Sequence, residues 1–203
     1  MTDVAMPRAV LLAAGYGTRL GGLTADLPKP MIDVGGRPLL EQTVRGLAAQ
    51  GVREFGINLH FRGDLIRAHF GDGRHLGVSI TYREEPELLG TAGALRGFTD
   101  WLREGGGPFL VQYGDVITDQ AVEPILDLHR RRGALLTLLV HERERSNSVV
   151  VLDGEGRVTT FLERPDEATR AAAGPSRWVF SGVCVADLDA LDAIPASGAV
   201  DLP

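Results

Sequence analysis

The residues best suited to chemistry lie near the start of the chain, in "AVLLAAGYGTRLGGLTADLPKP", residues 9–30. An apolar run ends in Gly15 and Gly17. Two cations follow, Arg19 and then Lys29, the second held between Pro28 and Pro30. Glycines let backbone N–H groups approach an anion closely. A guanidinium offers a planar fork to phosphate oxygens. Pro30 biases Lys29 toward an extended backbone, so less freedom is lost when the lysine binds something. The stretch is therefore suited to a phosphate-bearing ligand, with a solvated lysine in a proline-rich loop as the plain alternative. Much later, Asp115 follows Gly114 at the end of the apolar "PFLVQY". A carboxylate at the carboxyl end of a strand is a hard oxygen ligand for magnesium, or simply a turn cap.

Two well-known phosphate motifs do not fit. The G-x-x-x-x-G-K-[ST] loop fails because Gly15 is followed by Leu20 and Gly21, with no Lys-Ser/Thr pair. The dinucleotide fingerprint G-x-G-x-x-G finds Gly15 and Gly17 but has Leu20 where the third glycine belongs. A third possibility is a flat loop whose main-chain N–H groups face a nucleotide, beside the plain reading of a solvated loop.

These residues need elements to hold them. Ala9–Ala14 reads as a strand covered on both faces. "MIDV" at 31–34 reads as a short extended piece. Leu39–Gln50 reads as an amphipathic helix between Pro38 and Gly51. Strands follow at 54–59, near 79–82, at 108–113, within "ALLTLLV" and in "WVFSGVCV". Helices are expected at 64–70, with Asp64 as N-cap, at about 91–102, at 122–132 and, briefly, in "DLDALDAI". "SVVVLDGEGRVTTFLE" reads as two strands joined by a turn at Asp153–Gly156. Alternating strands and helices give an α/β fold: a Rossmann-like three-layer sandwich with a mostly parallel central sheet and a small late β-ribbon. In such sheets the ligand sits beyond the carboxyl ends of the strands, where the turns after Ala14 and Tyr113 both fall.

Composition removes several classes. The 203 residues favour one domain, and a net charge of −6 argues against a nucleic-acid polymer as partner. The single cysteine, Cys184, allows neither an internal disulfide nor a cysteine metal cluster. "MTDVAMPR" lacks the pattern of a signal peptide and no stretch approaches the length of a membrane span, so no membrane association and a cytoplasmic location are expected.

"LAAGYGTRLGGLTADLPKPMIDVGGRPLLEQTV" closely resembles the N-terminal signature of the sugar-1-phosphate nucleotidyltransferases, with G-x-G-T-R-[LM] followed by L-T-x-x-x-P-K-P. Gly15, Gly17, Thr18, Arg19, Leu20, Leu23, Thr24, Pro28, Lys29 and Pro30 supply every element. The resemblance continues in the family's order through "ELLGTAGALR", "VQYGDV" and "FLERP". It implies an enzyme that joins a nucleoside triphosphate to a sugar 1-phosphate, with Mg2+, and releases pyrophosphate. Positioning and charge stabilisation carry such a reaction.

By that resemblance the catalytic residues are Arg19, for the departing pyrophosphate, Lys29, for the phosphate near the α-position, and Asp115, which also binds the metal. Ala13, Gly15, Gly17, Thr18, Gly90 and Thr91 are expected at the nucleotide. There Gly90 passes close to the base, and Thr91 doubles as a helix cap. Glu163 and Arg164 are expected at the sugar phosphate, with a surface ion pair as the plain alternative. Departures from the family pattern cluster at the sugar. Asn147-Ser148 stands where Tyr-Gly is common, Phe180-Ser181-Gly182 where Asn-Ala-Gly is common, and Arg164 where lysine is common. The family's second metal-binding aspartate comes from a later strand; "AVDLP" ends before one, and Asp201 lacks the matching context. Residues 1–203 are expected to form one nucleotidyltransferase domain without that final strand and helix.

The base and sugar are not legible. Guanylyl transfer to a mannose- or heptose-type phosphate is ranked first. Uridylyl transfer to an amino-sugar 1-phosphate and a non-catalytic nucleotide-sugar-sensing subunit follow, with cytidylyl transfer to phosphocholine behind them. A homo-oligomer is a further family expectation.

Overall fold

In the computed structural model, which describes residues 6–15, 26–144 and 146–202, the first apolar segment is the centre of the sheet. Strand β1 (Ala9–Leu12) pairs in parallel with β2 (Glu54–Leu59) on one side and β4 (Phe109–Tyr113) on the other. Leu12 is opposite both Asn58 and Tyr113, so these three strands end together. Strand β3 (Ser79–Glu84) extends the parallel part beyond β2. The later strands are β5 (Leu136–Glu142), β6 (Ser148–Leu152), β7 (Val158–Glu163) and β8 (Trp178–Ala186). The sheet order is β3-β2-β1-β4-β8-β6-β7, with β5 paired to β8. Around β8 the pairings turn antiparallel, and β6–β7 forms the expected ribbon, joined to β8 through Val150 and Trp178.

Both faces of the sheet are covered, which explains why β1 shows no polar alternation. Leu11 packs with Leu40, Val44 and Leu47 of α1 (Leu39–Ala49), Ile66 and Phe70 of α2 (Gly63–Phe70), and Leu126. Its neighbour Val10 points into the other layer, with Phe98, Leu102, Phe109 and Val111. Between these layers lies a Rossmann-like α/β sandwich. Phe98 and Leu102 belong to a run built from a helical turn α3 (Gly90–Gly93), a 3₁₀ segment (Ala94–Phe98) and α4 (Thr99–Gly105). The layer of α1 and α2 is completed by α5 (Val122–Arg132), which packs beside them. No helix among the described residues is long and apolar enough to cross a membrane. Cys184 is fully buried in β8, and burial pushes its thiol up to about 12.

Several local expectations are corrected. "MIDV" is not a strand: Lys29–Met31 forms a 3₁₀ turn, and Asp33 makes one isolated bridge with Pro38. Lys29 is thus in a helical turn rather than extended, with Pro30 inside the first turn, where a missing N–H costs nothing. The expected helix at 91–102 is three pieces. Asp64 does not cap α2, which instead begins after Arg62 in the left-handed region, φ 49°, with no side-chain cap. "DLDALDAI" is 3₁₀ over Leu188–Ala193. Sequence reading missed α6 (Glu167–Ala172), whose signal was present: Asp166 accepts from the Thr169 N–H at 2.7 Å, an N-cap before "EATRAA".

His129 on α5 is buried against β5. Its Nδ1 lies 3.0 Å from the Thr137 hydroxyl, and its Nε2 has no partner among the described residues. Burial, opposed by Asp187 and aided by Arg130, holds its pKa below 6.5. The fold therefore resists a proton that the unfolded chain accepts. His129 contributes stability fully above pH 6.5, and that contribution is lost as pH falls below 6.5 toward the lower folded value. The urea midpoint should drop between pH 7 and pH 5.5, and by less in His129→Gln; equal drops in both proteins would contradict this.

Candidate functional site

The carboxyl ends of β1, β2 and β4 open onto a cleft of about 740 Å³, in the range of small-molecule sites. A smaller cavity of about 120 Å³ lies at the amino ends of the same strands, near Arg8, Glu54 and Phe109, and gathers no comparable set of groups. Parallel sheets place ligands at the carboxyl ends, so the larger cleft is the candidate.

Its floor is a buried polar chain. The Ala13 N–H donates to Asn58 Oδ1 at 2.6 Å, the Asn58 amide donates to Glu85 Oε1 at 2.8 Å, and the Leu89 N–H donates to Glu85 Oε2 at 3.1 Å. The side chains of Asn58 and Glu85 are thus spent on each other and on backbone, fixing the ends of β1, β2 and β3 relative to one another. Neither residue was singled out from sequence. The available signal was a polar residue at the carboxyl end of an apolar strand, Asn58 in "EFGINL".

Above this floor the cleft is lined by Ala13, Gly15, Lys29, Gly90, Thr91, Asp115 and Arg164, all expected there. Lys29, on the 3₁₀ turn, and Asp115, just past β4, form an ion pair across 86 residues of sequence. Their side chains are 35% and 32% exposed, so the pair is partly screened by water. Arg164 directly follows β7 with φ 50°, a strained backbone for a non-glycine residue, and makes no salt bridge among the described residues. Gly17, Thr18 and Arg19 lie outside the described residues.

Glu163 does not line the cleft. Its Oε1 accepts from the hydroxyl of Tyr113, a cleft residue, at 3.1 Å, and its Oε2 is buried with no partner among the described residues. Burial pushes the Glu163 carboxyl up, with Tyr113 and Arg164 opposing and Asp201 reinforcing. Tyr113 is pushed up by burial first and then by the Glu163 charge. Sequence reading passed over Tyr113, whose position two residues before Asp115 was the clue.

Thr91 does not cap a helix with its side chain. Its N–H donates to Asp201 Oδ1 at 3.0 Å, and its hydroxyl accepts from the Leu202 N–H at 2.6 Å. The Val200 carbonyl accepts from both the Ala92 and Gly93 N–H groups at 2.9 Å, and Arg96 donates to the Pro195 and Gly198 carbonyls. Residues 195–202 thus form a strap over α3, and Asp201 joins the cleft wall. The strap revises the reason for Gly90. At φ +76°, a Cβ there would sit 2.4 Å from the Val200 oxygen, so glycine is required by the strap's crossing rather than by a base.

Residues 8–195 match the family model described as nucleotidyl transferase. The chain belongs to the nucleotidyl transferase family. Among the relatives of this nucleotidyl transferase chain is a UTP–glucose-1-phosphate uridylyltransferase of Synechocystis sp., 31% identical over 96% of the chain and 53% of the relative. A probable mannose-1-phosphate guanylyltransferase of Arabidopsis thaliana is 35% identical over 78% of the chain and 46% of the relative. The chain thus spans about half the length of these relatives. HddC from Yersinia pseudotuberculosis shares the fold, with a TM-score of 0.77 at 22% identity over 94% of this chain and 80% of that one.

In this nucleotidyl transferase family chain, the cleft makes two opposite demands on glycine. Gly90→Ala should lower stability by roughly 2–4 kcal/mol, combining left-handed strain with lost strap hydrogen bonds. It should also speed hydrogen exchange at the Ala92 and Gly93 amides. Among the described residues, nothing lies within 4 Å of a Cβ built on Gly15. Gly15→Ala should shift stability by less than about 0.5 kcal/mol. Denaturant unfolding of both variants decides, and equal costs would refute the strap's role.

Proposed function

We propose that this chain carries a nucleotidyltransferase domain over residues 1–203 that transfers a nucleoside monophosphate to a sugar 1-phosphate and releases pyrophosphate. The observation that carries this reading is the pairing of Lys29, on its 3₁₀ turn, with Asp115, just past β4, in the cleft at the carboxyl ends of the parallel strands. A cation held by a partly exposed carboxylate is ready to exchange that partner for a phosphate oxygen.

The residues divide the work. Lys29 holds the reacting phosphate, and Arg19 neutralises the departing pyrophosphate. Ala13, Gly15, Gly17 and Thr18 bring backbone against the nucleotide, and Gly90 and Thr91 form the wall opposite. Arg164, free of a salt bridge among the described residues, takes the phosphate of the sugar, and Glu163 supports the sugar side. No general base needs to be found, because the sugar phosphate is already an anionic nucleophile; orientation and charge supply the rate.

Asp115 suits Mg2+. No cluster of three or more acidic, histidine or cysteine side chains among the described residues holds a metal by itself, and magnesium is commonly bound by one or two carboxylates plus substrate phosphates. Bound there, it would screen phosphate charge.

Guanylyl transfer to a mannose- or heptose-type 1-phosphate remains the favoured specific reading, supported by the guanylyltransferase relatives. Uridylyl transfer has the Synechocystis relative in its favour. A cytoplasmic site of action accords with these water-soluble substrates.

Protein incubated with Mg2+, each nucleoside triphosphate and a panel of sugar 1-phosphates should release pyrophosphate with one pair above all others. Release with none would sink the enzyme reading and leave the sensing subunit. Arg19→Ala and Asp115→Ala should each cut turnover by ~100-fold or more. The stability cost of Asp115→Ala should stay near 1 kcal/mol or below, since its ion pair is partly exposed. Full turnover in either variant would refute its role.

A further inference from the structure

Asp115 reaches the cleft on a turn whose position is set by backbone and side-chain bonds together. The Gly114 N–H donates to the Leu12 carbonyl at 2.9 Å, and the Val116 N–H to the Tyr113 carbonyl at 3.1 Å. Gly114 is packed so closely that a Cβ there would lie 3.0 Å from the Leu12 oxygen and 3.3 Å from Leu40 Cδ1 on α1. On the far side of Asp115, two side chains converge on the Val116 carbonyl. The Gln112 amide donates to it at 3.0 Å and the Thr43 hydroxyl at 3.1 Å. A carbonyl oxygen has two lone pairs, so these donors fill it. Gln112 and Thr43 are 2% and 5% exposed, so water has little access to this joint.

Thr43 lies on α1, and the start of α1 also holds the Lys29 segment. The Leu39 N–H donates to the Ile32 carbonyl at 3.0 Å, and the Ile32 N–H to the Lys29 carbonyl at 3.1 Å. One helical turn separates Leu39 from Thr43. A single helix therefore carries the Lys29 turn at its start and grips the Asp115 turn one turn later. The Thr43 hydroxyl also lies 3.3 Å from the Leu39 carbonyl, the usual place for the proton of a helical threonine. Its shorter contact reaches out of the helix instead.

We infer that Thr43 is a positioning residue for the reaction: with Gln112, its hydroxyl clamps the Val116 carbonyl and so fixes the Asp115 turn against the helix that carries Lys29. Neither side chain lines the cleft, so both act through Asp115. The inference rests on the nucleotidyl-transfer reading of the cleft.

Thr43→Val keeps the β-branched shape and removes the donor, whereas Thr43→Ser keeps the donor. In the full chain, with Mg2+ and the preferred substrate pair, Thr43→Val should lower kcat roughly tenfold and leave both KM values within about twofold, because misplacing a reacting group costs rate more than binding. Thr43→Ser should recover kcat to within about threefold of wild type. Amide hydrogen exchange in the unliganded chain, without metal, reads the clamp directly. Thr43→Val should speed exchange at Gly114 and Val116 about tenfold and leave Val44 and Leu47 of α1 within about twofold. Gln112→Met removes the other donor at similar length and should give the same local pattern. An unchanged kcat in Thr43→Val, a loss that Thr43→Ser does not recover, or exchange that speeds along α1 as much as at Val116 would each overturn the inference, while pyrophosphate release by the wild-type chain keeps the enzyme reading. Wild-type protein that releases pyrophosphate with no pair would overturn the enzyme reading itself, and the inference with it.

Discussion

The structure depends on the placement of β1 between two parallel neighbours. Because Leu12 is level with both Asn58 and Tyr113, three strands stop at one height, and their ends form the floor over which the cleft residues gather. The constraint is severe. Strand residues Ala9, Val10 and Leu11 are fully buried, so no charged group can sit within β1 itself. Charge has to arrive from loops at the rim, and the rim must satisfy the backbone groups that the sheet leaves unpaired there. The Ala13–Asn58–Glu85–Leu89 chain meets that need on one side, and the strap over Thr91 meets it on the other.

The same arrangement explains which parts of the cleft are stiff. Asn58 and Glu85 are 4% and 5% exposed and fully engaged, so breaking either bond would strand a buried polar group. Lys29 and Asp115 are each about one-third exposed, and their pairing is screened. The inner polar chain thus has the character of scaffold and the outer pair that of a replaceable contact. A ligand can compete for Lys29 without disturbing the strand ends.

Legibility from sequence followed the range of the forces involved. The central strands, α1 and α5 were readable because their signals are local: an apolar run, a 3.6-residue stripe, and a glycine after the last turn, as at Gly51 with φ +99°. The 91–102 segment misled because its conformation is imposed from 110 residues away, where Val200 and Asp201 take over the first N–H groups and leave a turn, a 3₁₀ stretch and a short helix in place of one. Lys29 and Asp115 were found through motif resemblance, and their contact with each other was not visible. Tyr113, Asn58 and Glu85 sit in strands or directly after them and read as ordinary strand ends. Only the pairing of those ends gives them a role.

The departures from the family pattern also become coherent at this point. Replacing an amide by Phe180 looked, in sequence, like the loss of a sugar contact. In three dimensions Phe180 and Gly182 belong to the same strand: the Phe180 ring meets Tyr113 edge-on, and a Cβ at Gly182 would come within 3.2 Å of the Tyr113 ring. Dispersion contacts of this kind are individually weak but fix a ring when they surround it. A polar group carried by residue 180 would point from β8, whereas the hydroxyl carried by Tyr113 points from β4, on the same strand end as Asp115. The Tyr113 hydroxyl donates to Glu163 of β7 at 3.1 Å while its ring meets Phe180 of β8, so this corner of the sheet is one coupled unit of β4, β7 and β8.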